Sequence, residues 1–131
     1  MAIDLIRGGR IANRGIRTTK STNSYIKTLI KLYSFLNRRT ESRFNKTIHK
    51  RLNQSRLNRY PISISRIVKT LSQDNAAVPA GQTKFNSRIL AVVGSVTNDT
   101  RLLTVPEGLR VVALRFTNEA RQRITAAKGQ C

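Results

Sequence analysis

Apolar positions change their period three times along this chain. Residues 1–22 show no period; three glycines and five Lys or Arg are interspersed with small polar residues. From Tyr25 the spacing turns helical. Tyr25, Ile26, Leu29, Ile30, Tyr33 and Leu36 recur three or four apart, with Lys27, Thr28, Lys31 and Ser34 opposite. That spacing predicts a helix over residues 24–38, capped by Asn23 or Ser24, whose side chains can accept from free backbone N–H groups. Arg38 and Arg39 then fall at its negative C-terminal end.

A second helix follows, capped by Thr40 or Ser42. Phe44, Ile48 and Leu52 form one face, while Arg43, Lys46, Lys50 and Gln54 cluster on nearly the opposite face at 100° per residue. The apolar stripe is expected to dock on protein and the cations to point outward. Tyr60 precedes Pro61, which disfavours helical angles, so this helix ends before Tyr60. Ile64, Ile67, Val68 and Leu71 then predict a third helix over 64–72, with Ser63 as cap and Arg66 and Lys69 outside.

From Ser72 to Ser87 the period is lost, and Asp74, Asn75, Pro79 and Gly81 indicate a long loop. The last third reads differently. "RILAVVGSV" and "LRVVALRF" are continuous apolar runs rich in β-branched residues, and both are expected to be buried strands. Turns are expected at Asn98–Asp99 and at Pro106–Gly108. "TNEARQRITAAKG" predicts a closing helix capped by Thr117, with Glu119 in its first turn, Ala120, Ile124 and Ala127 inward and Gly129 as C-cap. A lone strand–strand–helix unit leaves sheet edges open and calls for further strands or a partner.

Charge sharpens this picture. The 131 residues hold 25 Lys and Arg against 6 Asp and Glu, a net charge of +19. Residues 1–71 carry 17 cations and 2 acids, net +15, whereas residues 72–131 carry only +4. Self-repulsion on that scale needs a polyanion to offset it. Arginines outnumber lysines 17 to 8, and the guanidinium fork matches phosphate oxygens bidentately. The apolar share of 39% lies below the usual ~45–50%, so the core rests on Ile, Leu and Val and is thin. Cys131 is the single cysteine, which fits a reducing compartment. No apolar run approaches the ~20 residues of a membrane span, and no secretory-type run stands near the N-terminus. An intracellular protein is expected.

Catalytic and metal chemistry is not provided for. His49 is the one histidine and reads as a polar or RNA-facing surface residue; with Cys131 it cannot supply the three or four ligands of a zinc site. The six acids form no close pair, and no phosphate-loop motif occurs; "RGGR" at 7–10 lacks the strand-to-helix context. No enzyme, cofactor or metal is expected.

The segment 25–71 carries a family pattern: K-L-Y-S-F-L-N-R-R-T at 31–40, F-N at 44–45, K-R-L at 50–52, S-R-L-N-R at 55–59, Pro61 and S-I-S-R at 63–66. Residues 91–124 continue it with V-V-G, Asp99, V-P, A-L-R and A-R-Q-R-I in order. In these motifs the chain resembles the protein eighteen family of the archaeal and eukaryotic large ribosomal subunit. The resemblance implies an α/β fold shared with the bacterial protein fifteen family. It consists of a basic N-terminal extension and three short helices, then an irregular strand–strand–helix unit. It also implies that the family pattern continues past residue 131 with further strands and a basic Gly-rich tail.

The expected organisation is a basic RNA-binding extension at 1–22, a helical RNA-binding segment at 23–71, a linker at 72–87 and a strand–strand–helix part at 88–131. The expected function is that of a structural constituent of the large subunit, with large-subunit ribosomal RNA and neighbouring ribosomal proteins as partners and neither a membrane nor a homo-oligomer. Its expected location is the cytoplasmic ribosome, with nucleolar assembly in a eukaryote. Phosphate contacts are expected from Arg38, Arg39, Arg43, Lys46, Lys50, Arg51, Arg56, Arg59 and Arg66. In the extension, Arg7, Arg10, Arg14, Arg17 and Lys20 are expected to follow RNA grooves. Tyr60 is weighed as a base-stacking group against simple packing beside Pro61, and packing is the expected role. The competing reading of the same charge is a basic membrane-surface or chromatin-associated protein.

Overall fold

The computed structural model describes residues 19, 21–74 and 81–131. The chain divides into two compact units, one ending at Ser55 and the other running from Arg56 to Cys131.

The first unit is a pair of packed helices, α1 (Ser24–Arg39) and α2 (Arg43–Leu52). The Asn23 side chain caps α1 by accepting from the Tyr25 N–H at 2.9 Å. Thr40 closes α1 rather than opening α2: its backbone N–H and its hydroxyl both donate to the Leu36 carbonyl, at 2.8 and 2.7 Å. Ser42 occupies the N-cap of α2 but makes no side-chain capping bond. Ile48 and Leu52 are buried as their spacing predicts, whereas Phe44 is 54% exposed. No residue of α1 is fully buried, and Tyr25 at the start of its apolar stripe is exposed.

The second unit opens with a 3-10 turn at Arg56–Asn58, then β1 (Ile62–Ser63), α3 (Ile64–Ser72), β2 (Ile89–Thr97), β3 (Arg110–Phe116) and α4 (Asn118–Ala126). Three parallel strands lie in the order β1-β2-β3. Ile62 pairs with Val96, and Ile89 with Arg110. The third helix has the predicted bounds and cap: the Ser63 side chain accepts from the Arg66 N–H. It contributes Ile64, Ile67 and Leu71 to one core with Val92, Val96, Leu109, Val111, Ala120 and Ile124.

Two expectations need correction. The apolar strands are not buried on both faces. Val92, Gly94 and Val96 alternate inward, while Ile89 and Val112 are more than half exposed, because α3 and α4 contribute to a single core cluster with one strand face. At the end of α4, the left-handed residue is Lys128 (φ 56°), not Gly129. The Lys128 N–H donates to the Thr125 carbonyl and the Gly129 N–H to that of Ile124, the paired bonds of a Schellman end. Gly129 is needed for close approach instead: a Cβ there would lie 2.6 Å from the Leu109 carbonyl oxygen and 2.7 Å from Ile124 Cγ2.

β2 and β3 run parallel, so residues 98–109 must cross back over the sheet, and they do so without a helix. Such a crossover takes a dozen residues or more. Arg123 of α4 holds it. Its guanidinium donates to Asn98 Oδ1 and the Asp99 carbonyl, both at 2.8 Å, and to the carbonyls of Leu102 and Leu103. Asp99 ties the same loop to the start of α3 by accepting from the Ser65 hydroxyl. Past α4, Gln130 forms a parallel bridge with Arg110 on β3.

Candidate nucleic-acid interface

Cations on α1 and α2 are sorted by helical phase. Lys27, Lys31 and Arg38 share one flank of α1, and Arg43, Lys46 and Lys50 share one flank of α2; all six are exposed. Neither helix has an acid in its first turn. At the corner between them, Asn37, Arg38, Arg39, Thr40, Glu41, Ser42 and Lys46 line an open hollow of about 540 Å³. Asn45 pins that corner by donating to the Thr40 hydroxyl at 2.8 Å. Arg39 lies over the Phe35 ring at 5.7 Å, which fixes its stem while its charge stays outward.

The expected phosphate-contacting residues fall into three groups. Arg38, Arg39, Arg43, Lys46, Lys50 and Arg51 are exposed on the helix pair. Arg56 and Arg66 are exposed in the second unit, where Arg59 is half-buried with its Nε enclosed and without a hydrogen-bond partner among the described residues. Arg7, Arg10, Arg14, Arg17 and Lys20 lie outside the described residues. Among the described residues the one ion pair joins Arg88 to Asp74. None of the exposed cations in the first two groups forms an ion pair with a described residue.

Other features were missed from sequence. Lys27 and Lys31, placed opposite the apolar stripe from sequence but left out of the expected phosphate contacts, belong with the exposed cations of α1. His49 is only partly exposed, with Nδ1 buried and unpartnered among the described residues, so it is not a simple surface group. Tyr60, expected to pack, is 74% exposed, and Leu57 beside it is 84% exposed. Among the described residues no three His, Cys, Asp or Glu side chains converge as a metal site would require, and no helix is long and apolar enough to cross a membrane.

This architecture defines a basic α/β protein whose exposed cations on α1 and α2 form no ion pair with a described residue. A family model for ribosomal proteins 60S L18 and 50S L18e matches residues 2–131, and the chain belongs to that family. It is 53% identical over its whole length to the large ribosomal subunit protein eL18 of Tetrahymena thermophila, covering 67% of that protein. It is 54% identical to eL18B of Schizosaccharomyces pombe over 84% of its own length and 54% of the relative's. With eL18z of Arabidopsis thaliana it shares 42% identity, covering 63% of that relative. The chain thus spans between about half and two thirds of these relatives' lengths.

Proposed function

We propose that this chain is a structural constituent of the large ribosomal subunit that holds folded ribosomal RNA through Arg–phosphate and Lys–phosphate contacts. The observation that carries the reading is the set of outward cations on α1 and α2 without an acidic partner among the described residues. Folded RNA presents dense phosphate, and A-form duplexes are recognised mainly by shape and backbone. Arg38, Arg39, Arg43, Lys46, Lys50 and Arg51 serve one RNA surface; Arg56, Arg59 and Arg66 serve contacts from the second unit. Arg7, Arg10, Arg14, Arg17 and Lys20 of the N-terminal segment follow RNA grooves. Neighbouring large-subunit proteins are its other partners. The role is non-enzymatic and exercised on the cytoplasmic ribosome after nucleolar assembly; the names of the relatives support its place in the large subunit.

Titration with salt tests the reading. Affinity for deproteinised large-subunit RNA should fall by ~0.7–0.9 log units per tenfold salt for each phosphate neutralised. A flat response overturns the electrostatic account. Flotation with anionic vesicles instead of sedimentation with large subunits would favour the membrane-surface alternative.

A further inference from the structure

Tyr60 presents its ring to solvent from a rigid support. The connector Arg56–Pro61 begins as a 3-10 turn closed by the Arg59 N–H on the Arg56 carbonyl at 3.2 Å. It then passes across β2 so closely that a Cβ at Gly94 would lie 3.1 Å from the Tyr60 carbonyl oxygen and 3.8 Å from that of Arg59. One residue after Pro61, Ile62 enters the sheet opposite Val96. The backbone on both sides of Tyr60 is therefore fixed, while its side chain is 74% exposed. A large aromatic in that state is pre-organised for a contact from outside the chain.

The surroundings decide which contact. No acid occurs between Glu41 and Asp74. Arg56 is exposed, and Arg59 has a buried Nε with no acceptor among the described residues. The two cation–π contacts among the described residues engage Phe35 and Phe116, so no described arginine covers Tyr60. An open π-face one and four residues along the chain from guanidinium groups without an ion-pair partner among the described residues suits a ligand that is flat and apolar at one end and anionic at the other. An unstacked nucleotide has that form. An apolar protein neighbour would leave the arginines unmatched, and an acidic one would leave the ring without a partner.

Resting on the RNA-binding reading above, we infer that Tyr60 is a base-stacking platform for an unpaired nucleotide of the bound RNA, with Arg56 and Arg59 taking the adjoining phosphates. Leu57, 84% exposed and one turn earlier, extends the apolar surface. Such stacking tolerates any base, because every base has a π-face.

The test uses the full chain with deproteinised large-subunit RNA and with a poly(A)·poly(U) duplex. The chain has no tryptophan, so Tyr60→Trp introduces a unique fluorophore. Its emission should be quenched by the ribosomal RNA and not by the duplex, although both bind at low salt. Tyr60→Ala should weaken binding to the ribosomal RNA roughly tenfold with an unchanged salt slope, and Tyr60→Phe should stay within about twofold of the parent. Equal affinity of Tyr60→Ala and parent, or unquenched Tyr60→Trp in a formed complex, overturns the stacking role while leaving phosphate binding intact; a neighbouring protein would then be the occupant. Absence of salt-dependent RNA binding by the parent chain overturns both readings.

Discussion

Among the described residues, the second unit uses one arginine in a way that the first does not. In the second, Arg123 is turned into the fold, where four oxygen acceptors of the β2–β3 crossover satisfy its guanidinium. In the first, Arg38, Arg39, Arg43 and Arg51 reach outward, and none of them has an acidic partner among the described residues. The second unit has a continuous core from α3, β2, β3 and α4; among its described residues the first buries Ile48, Leu52 and Asn53. A guanidinium with four acceptors is a structural joint, whereas one with none adds to a field that opposes compaction. Among the described residues the core therefore lies mainly in the second unit, while the cations of α1 and α2 stay without ion pairs.

The largest expected effect breaks the comparison on its basic side. Replacing Arg43, Lys46 and Lys50 together with Gln should lower RNA affinity about 100-fold near 0.1 M salt and flatten the salt slope by roughly 2–3. Helix content by circular dichroism should not change, since all three side chains are exposed. The matching change of Lys84, Arg101 and Arg115 in the second unit should cost only a few-fold. Equal losses from the two triples would show that the binding field is not concentrated on the helix pair.

Next comes Arg123. Arg123→Ala should destabilise the second unit by about 3 kcal/mol, because it leaves several acceptors of the crossover unpaired. Arg123→Lys keeps the charge but lacks the fork that reaches four oxygens, so it should recover less than half of that loss. Denaturant unfolding measures both. Full recovery by lysine would mean that charge, not geometry, holds the crossover.

Arg123 also marks where sequence reading reached its limit. The four helices were legible because each has a three-or-four spacing and polar flanks, and α3 even showed its cap. Periodicity also separated the cations of α2 from its apolar face. What it could not supply were relations between distant segments. Nothing near Arg123 in the sequence indicates that residues 98–103 need a donor, so it stood out only as part of the A-R-Q-R-I motif. The two-residue strand β1 is too short to show a period. Continuous runs such as "LRVVALRF" do not reveal whether one face or two will be covered, which depends on where helices pack. Tyr60 failed for a related reason: proximity to Pro61 suggested packing, but the close passage of its backbone over Gly94 directs the connector, and the ring stays outside.

The end of α4 offers a pair of changes with opposite signs. Gly129→Ala places a methyl against the Leu109 carbonyl and Ile124, and should cost about 2 kcal/mol. Lys128→Gly relieves a left-handed non-glycine residue and should add about 0.5–1 kcal/mol. Both are read by thermal unfolding. Stabilisation by Gly129→Ala would show that the backbone there yields freely, contrary to its tight contacts.

The smallest effect separates the units by pH. The Asp99 carboxylate accepts from the Ser65 hydroxyl and from the Arg101 N–H at 3.0 Å. Chiefly the first of these bonds, then the second, hold its pKa below the ordinary 3.8. Because the folded value lies under the unfolded one, the ionised form favours folding at pH above the unfolded value. That contribution disappears as pH falls through the folded value. Asp99→Asn keeps the turn but removes the titration. The stability difference between parent and variant in urea should be constant from pH 7 to pH 5, then shrink below about pH 4. The helix signal of the first unit, which does not contain Asp99, is the internal control over that range. A parent–variant difference that stays constant down to pH 2 would mean that Asp99 acts through its shape alone, and that the loop is held by Arg123 without help from the carboxylate's charge.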